Sequence, residues 1–307
     1  MQEGIGRVLL QQGHNADAEI VFRKVVDLRA EKLGPEHAQT LEARASLAWA
    51  KSEGGKYVEA ETEFRELTKL DEKVFGPEDT NTLWCRQGLI TTLTRQGKYS
   101  QAEAEFRELV RLDEKILGPQ DPATLMTRNN LAVAMMNRGN NEEALMEFRE
   151  LAKIDEKVLG PEHPDTLLAR HNIAAVLSKL GKYPEAETEI REVIRIRTKV
   201  LGPDHPDTVK ARRALAIIVD RQNRWAEAEP IYLEVLKFFE KTAGPDGPET
   251  IHSCFLIGLS FERRLKMKEA RPYAERALAG ARKILGPNHP TTKSYDDVLT
   301  AINAIDR

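Results

Sequence analysis

A Gly-Pro dipeptide recurs every 42 residues, with its glycine at 34, 76, 118, 160, 202, 244 and 286, and no insertion or deletion separates any two occurrences. Six residues after each of those glycines stands a threonine, namely Thr40, Thr82, Thr124, Thr166, Thr208, Thr250 and Thr292. A strict period between about 20 and 50 residues marks a repeat array, in which each unit leaves an apolar face that only its neighbour can cover. For an ordinary globular chain, 307 residues would suggest about two domains. The period instead predicts one quasi-one-dimensional array over 1–307.

Within the unit 159–200 two helical patterns alternate. The first runs from about Pro164 to Lys179, with Leu167, Arg170, Ile173, Ala174 and Leu177 at helical spacing. His163 stands in the capping place before it, and Pro164 sits where a first-turn proline loses no hydrogen bond. The second runs from about Pro184 to Val200, and the Gly-Pro loop ends it because neither residue continues a helix. Between the two, Leu-Gly-Lys-Tyr is a tight turn with glycine free to take a left-handed conformation. Gly13, Gly55, Gly97, Gly139 and Gly181 hold that place; Asn223 and Leu265 replace it later.

Two columns in the second helix predict how the pairs pack. Ala18, Ala60, Ala102, Ala144, Ala186, Ala228 and Ala270 share one position, where a larger side chain would hold the helices apart. Four residues on come Phe22, Phe64, Phe106, Phe148, Ile190 and Tyr232. The expected fold is therefore all-α, with helix pairs at about 1–33, 36–75, 78–117, 120–159, 162–201, 204–243 and 246–285. A terminal helix over 290–305, without a partner to complete a pair, would cap the array.

Composition narrows the function classes. Lys and Arg (46) nearly cancel Asp and Glu (49), so a net charge of −3 gives no electrostatic reason to expect nucleic acid or an anionic membrane as partner. Cys85 and Cys254 show no CxxC spacing, which suits a reducing compartment and thiols that serve as packing atoms. Neither a spanning apolar run nor a signal sequence is evident, so a cytoplasmic protein is expected. No phosphate loop, zinc-protease motif or nucleophile elbow appears, and no enzyme activity, cofactor or metal is expected. His37, His163, His205 and His289 fall in different units and are read as helix caps rather than ligands. Glu187 and Glu189 are read as solvated surface. Arg44, Arg86, Arg128, Arg170 and Arg212 form a column that would either grip acidic ligands or pair with the Glu61, Glu103, Glu187 and Glu229 column. Repetition in every unit fits the structural duty better.

Ile173 followed by Ala174, then Ala186, Ile190 and the Leu-Gly-Lys-Tyr turn, resembles the tetratricopeptide repeat. The 42-residue period, the Leu-Gly-Pro-Glu-His-Pro-Asp-Thr connector and Arg128-Asn129-Asn130-Leu131-Ala132 are similar to the kinesin light chain subclass, although no heptad segment for a motor is present. The resemblance implies a right-handed α-α superhelical solenoid whose concave groove is lined by the first helices. Carried over by spacing, groove residues include Trp49 and Trp84, then Met126, Asn129, Val133 and Met136. Further along come His171, Lys179, Lys210, Arg213, Arg221 and Arg263. Asn172 and Lys210 match two places of the carboxylate clamp some relatives use, but Asn129, Val133 and Ala214 break the other three, so that clamp is not expected.

The groove thus offers tryptophan and methionine early, and five basic residues against two acidic ones, Asp220 and Glu262, late. The expected function is a non-catalytic scaffold that binds an extended peptide or partner protein, with an aromatic or aliphatic anchor at the early units and acidic residues at the later ones. That the chain is a sensing or autoregulatory module of a larger signalling or effector protein is the alternative. Oligomeric state is left open.

Overall fold

The computed structural model describes residues 2–11, 14–287 and 289–305. Among them it holds fifteen helices and no strand. The chain divides into two compact units, residues 1–138 and 139–307. The first unit contains α1 (Gln2–Gln11), α2 (Asn15–Leu33), α3 (Ala38–Glu53), α4 (Tyr57–Phe75), α5 (Thr80–Arg95), α6 (Tyr99–Ile116) and α7 (Pro122–Arg138). The second contains α8 (Asn141–Val158), α9 (Pro164–Lys179), α10 (Tyr183–Leu201), α11 (Pro206–Arg221), α12 (Trp225–Ala243), α13 (Pro248–Arg263), α14 (Met267–Leu285) and α15 (Pro290–Ile305). Within each unit every helix packs on the next. First helices also touch in succession: α1, α3 and α5 in the first unit, and α9, α11, α13 and α15 in the second.

The connector residues explain why the helices start and stop where they do. The imidazole Nδ1 atoms of His37, His163 and His205 accept from the backbone N–H two residues on, at 3.3, 3.3 and 3.2 Å. Asp79 and Asp121 do the same through a carboxylate oxygen, each at 2.9 Å. Each such bond satisfies a donor that the first turn leaves unpaired. The threonine column has its own duty. Thr40, Thr82, Thr166, Thr208 and Thr250 are fully buried, and each hydroxyl donates to the carbonyl of the connector glycine six residues back, at 2.7 to 2.9 Å. This bond closes the Gly-Pro loop in every repeat where it forms, which accounts for a threonine at fixed distance. Thr124 and Thr292 are buried without that bond.

In the turn inside each pair, Gly55, Gly97, Gly139 and Gly181 take positive φ, and Asn223 (φ 61°) and Leu265 (φ 57°) take it too. Gly13, the first member of that column, lies outside the described residues. A left-handed conformation is costly for a branched side chain. Leu265 carries that cost, and its side chain is left exposed.

All seven members of the alanine column are buried, as are the aromatic and aliphatic residues four places on. The ion pairs follow a rule that the sequence reading missed. Arg44 pairs with Glu63 (2.7 Å) and Glu66 (2.9 Å), Arg86 with Glu72 and Glu105, Arg170 with Glu189 (2.5 Å), and Arg212 with Glu234 (2.7 Å). These four arginines of the column pair within the fold, and the partners named are not the Glu61 column. Those glutamates instead reach the turn of the following pair. Glu61 takes Lys98 (2.6 Å), Glu103 takes Arg138 (3.0 Å), Glu187 takes Arg224 (2.7 Å) and Glu229 takes Arg264 (2.8 Å). Neither Glu187 nor Glu189 is therefore plain solvated surface. Burial alone would raise the Glu187 carboxyl, but hydrogen bonds from Gln222, Arg191 and Arg224 hold it at about 2. The geometric reason is that one face of the second helix meets its own partner, and the face two residues away meets the next pair.

The terminal helix α15 packs on α14 and touches α13 in the place of a further first helix, and no second helix pairs with it among the described residues. Thr292, Tyr295 and Ile302 are its buried residues.

Candidate functional site

Within each unit, first helices that touch place predicted groove columns side by side, and in the first unit α3 and α5 bring together one aromatic group. The Trp49 ring lies 6.2 Å from that of Trp84 at an interplanar angle of 29°, a stacked pair, and meets Phe64 edge-on at 5.6 Å and 75°. Such offset and edge contacts match the ring quadrupoles and fix both indoles. Both tryptophans are half-buried, with one side set into the core around Leu89 and Phe64. Their other side helps wall a pocket of about 670 Å³ shared with Leu10, Phe22, Ser46 and Asn81. The Trp49 Nε1 atom is buried and has no hydrogen-bond partner. Charge at the rim is neutralised internally, Glu42 by Arg7 at 3.2 Å and Glu53 by Arg95 at 2.7 Å.

Met126 and Met136 do not join this group. They stand on α7 and take no part in lining the pocket; Met126 is exposed, while Asn129, Val133 and Met136 are half-buried. The early apolar cluster expected from sequence is therefore a tryptophan pair, with two methionines apart from it.

In the second unit the basic residues divide. Lys210 and Arg213 both face Glu249, at 3.5 and 2.6 Å, and Arg263 pairs with Asp220 at 2.8 Å. Asp220 is fully buried, and its other oxygen accepts from the Ser260 hydroxyl at 2.6 Å. Lys179 and Arg221 are exposed and share a pocket of about 420 Å³ with Ala175, Tyr183, Ala214 and Ile217.

His171 is half-buried with Nδ1 enclosed and unpartnered, and burial together with Arg197 and Arg213 lowers its pKa to about 4. It is therefore a neutral wall residue at physiological pH. Farther along, His252 Nδ1 lies 3.2 Å from the Tyr295 hydroxyl, and the Tyr295 ring stacks on Phe255 at 4.0 Å and 12°. The terminal helix thus occupies the last part of the first-helix face.

Two residues missed by sequence reasoning shape this face. Glu249 lies 42 residues after Asp207, in an acidic first-turn position that reaches back to the preceding first helix. That recurring acid was the available signal. Tyr295 had none, since its role depends on how α15 docks. No group of three or more His, Cys, Asp or Glu side chains converges as a metal site among the described residues. Nor is any of their helices long and apolar enough to cross a membrane.

A model of the tetratricopeptide repeat matches residues 1–73, 123–199, 168–241 and 221–283. Among solved structures, a Podosopora anserina kinesin light chain-like protein with nearly identical TPR-like repeats is 26% identical, with a TM-score of 0.61. That match covers 65% of this chain and 94% of the other. The apo form of RapI is 11% identical with a TM-score of 0.70, covering 92% of this chain and 97% of the other. A Rap protein complexed with Competence and Sporulation Factor is 10% identical with a TM-score of 0.56, covering 99% and 97%. No curated protein sequence matches the chain.

Proposed function

Because the chain belongs to the tetratricopeptide repeat family, in its kinesin light chain-like form, we propose that it is a protein-interaction scaffold that takes an extended segment of a partner against its first-helix face. The observation that carries this reading is the pocket beside Trp49 and Trp84, walled by a fixed aromatic pair. A half-buried aromatic surface backed by core packing is preorganised, so an entering side chain costs little ordering on the protein's part. The pocket suits an aromatic or aliphatic anchor. Anchors seated in such pockets typically carry about 2 kcal/mol or more of binding energy. The similar fold of a Rap protein solved with a factor bound supports the same reading.

The test is selection of peptides from a random phage-displayed library on the intact chain, followed by affinity measurement on purified peptides. Enriched sequences should share a large apolar residue, and Trp84→Ala should weaken their binding by about thirtyfold, the loss of a 2 kcal/mol anchor. Absence of any enriched sequence, or equal binding by the variant, overturns the proposal.

A further inference from the structure

We infer that the second unit pairs with a second copy of this chain along the edge formed by its Gly-Pro connectors, each copy seating the Val200-Leu201 pair in a cleft of the other beside Thr242. The contact lies within residues 139–307 and does not rest on the groove reading above.

Three second helices of this unit close on a β-branched residue followed by leucine: Val158-Leu159, Val200-Leu201 and Ile284-Leu285. These side chains are 36 to 54% exposed, and they are six of the eleven exposed large apolar residues described between 139 and 307. Single apolar residues scattered over a surface need no explanation, but apolar surface gathered at one place of successive repeats marks an interaction site. Neighbouring connectors stand close together, because Lys199 reaches Glu162 and Lys283 reaches Asp246, each at 2.5 Å. Those ion pairs also remove like charge that would hold two such edges apart.

The remaining second helix breaks the row. α12 ends in Thr242-Ala243, and there a cleft of about 380 Å³ opens. Val209, Val235 and Phe238 form its apolar part, and the Phe238 ring is held edge-on to Phe239 at 5.2 Å and 80°. Lys237 and Lys241 also line it, exposed and without an ion-pair partner among the described residues. Asp204, three residues after Leu201 in the same connector, is another of its walls, so the apolar knob and the cleft are neighbours in one molecule. A two-fold axis between them sets each knob against the other copy's cleft, the self-complementary arrangement that closes as a dimer. The partner is a second copy because its connectors recur at the same spacing. The flanking pairs, Val158-Leu159 and Ile284-Leu285, then find apolar counterparts as well, which a ligand without this period does not offer.

Sedimentation velocity of the intact chain over a concentration series should show a reversible dimer. L201K should weaken it by about a hundredfold or more, because a two-fold interface loses the leucine twice and sets the new cation against Lys237 and Lys241. Lysine suits a helix C-terminus, so this variant should keep its fold; thermal melts check that. L201E is the discriminating variant. Its carboxylate is worse for the helix end but meets Lys237 and Lys241, so it should associate more tightly than L201K, an order that loss of folding does not produce. T242W fills the cleft while leaving the knob intact, and should abolish the dimer. Trp84→Ala should dimerise as the parent does. A parent that is monomeric at every concentration, a dimer that persists in L201K or T242W, or L201E associating no more tightly than L201K overturns the inference and leaves the groove reading standing. Loss of the dimer in Trp84→Ala would move the contact to the tryptophan pocket and overturn it too.

Discussion

Gly88→Ala is the sharpest test of how the tryptophan pair is held. Gly88 lies inside α5, and a Cβ built there would stand 2.4 Å from the Cε1 and Cζ atoms of Phe64 and 2.9 Å from Cδ1. Phe64 is fully buried, and its ring meets Trp49 edge-on, so it has little room to retreat. Two effects oppose each other. Alanine in place of glycine favours a helix interior by about 1 kcal/mol. Overpacking a filled core costs about 1 to 3 kcal/mol, and a contact this short with a confined ring belongs in the upper half of that range. The clash wins, and the net loss should be about 1 to 2 kcal/mol, or roughly 5 °C in thermal midpoint for a unit of this size. Urea unfolding followed by far-ultraviolet dichroism measures the loss; near-ultraviolet dichroism reports the displaced indoles. Gly4→Ala is the control, because nothing lies within 4 Å of a Cβ there. It should gain up to about 1 kcal/mol. If Gly88→Ala is as stable as the parent with an unchanged aromatic spectrum, Phe64 does not hold Trp49 as described.

Other outcomes follow from the same packing. His171 has a folded pKa near 4 against 6.5 in the open chain. Its stabilising effect is therefore complete above pH 6.5 and lost as pH falls toward 4, by about 2 kcal/mol between pH 7 and 5. His171→Gln should flatten that part of the stability profile, and an unchanged slope would show that the imidazole is not held neutral. Ala186→Leu should overpack α9 against α10 and cost about 1 to 3 kcal/mol in chemical denaturation, an effect that a solvent-facing column would not show. Leu265→Gly relieves a left-handed leucine whose side chain packs on little, and a gain of about 0.5 kcal/mol should remain after the entropy that glycine adds to the unfolded chain. A loss instead would mean that the leucine makes a stabilising contact.

The fold was legible because its determinants are local and repeated. The connector at 160 to 166 specifies a stop, a loop and a cap within seven residues, and α9 begins at Pro164 and ends at Lys179 as the pattern indicates. Alanine and phenylalanine columns are likewise set by size alone. Charge pairing was not legible. Arg170 meets Glu189 rather than Glu187, and that choice turns on which side of α10 faces α9, a rotation of two residues. The same limit applies to the site. Counting bases along the first helices does not reveal that Glu249 silences two of them, because it reaches across 36 residues to Arg213. Trp49 and Trp84 are visible in sequence as unusual surface, but their stacking depends on the spacing of α3 and α5.

The central claim, that a partner segment seats beside Trp49 and Trp84, is tested most directly by fluorescence from those two residues alone. Trp225 is the remaining tryptophan, so Trp225→Phe leaves only the pair as emitters. Titrating this variant with a library-selected peptide that itself lacks tryptophan should shift the emission saturably, with the midpoint at the affinity measured by calorimetry. Calorimetric binding with no change in that emission would place the ligand elsewhere and contradict the account.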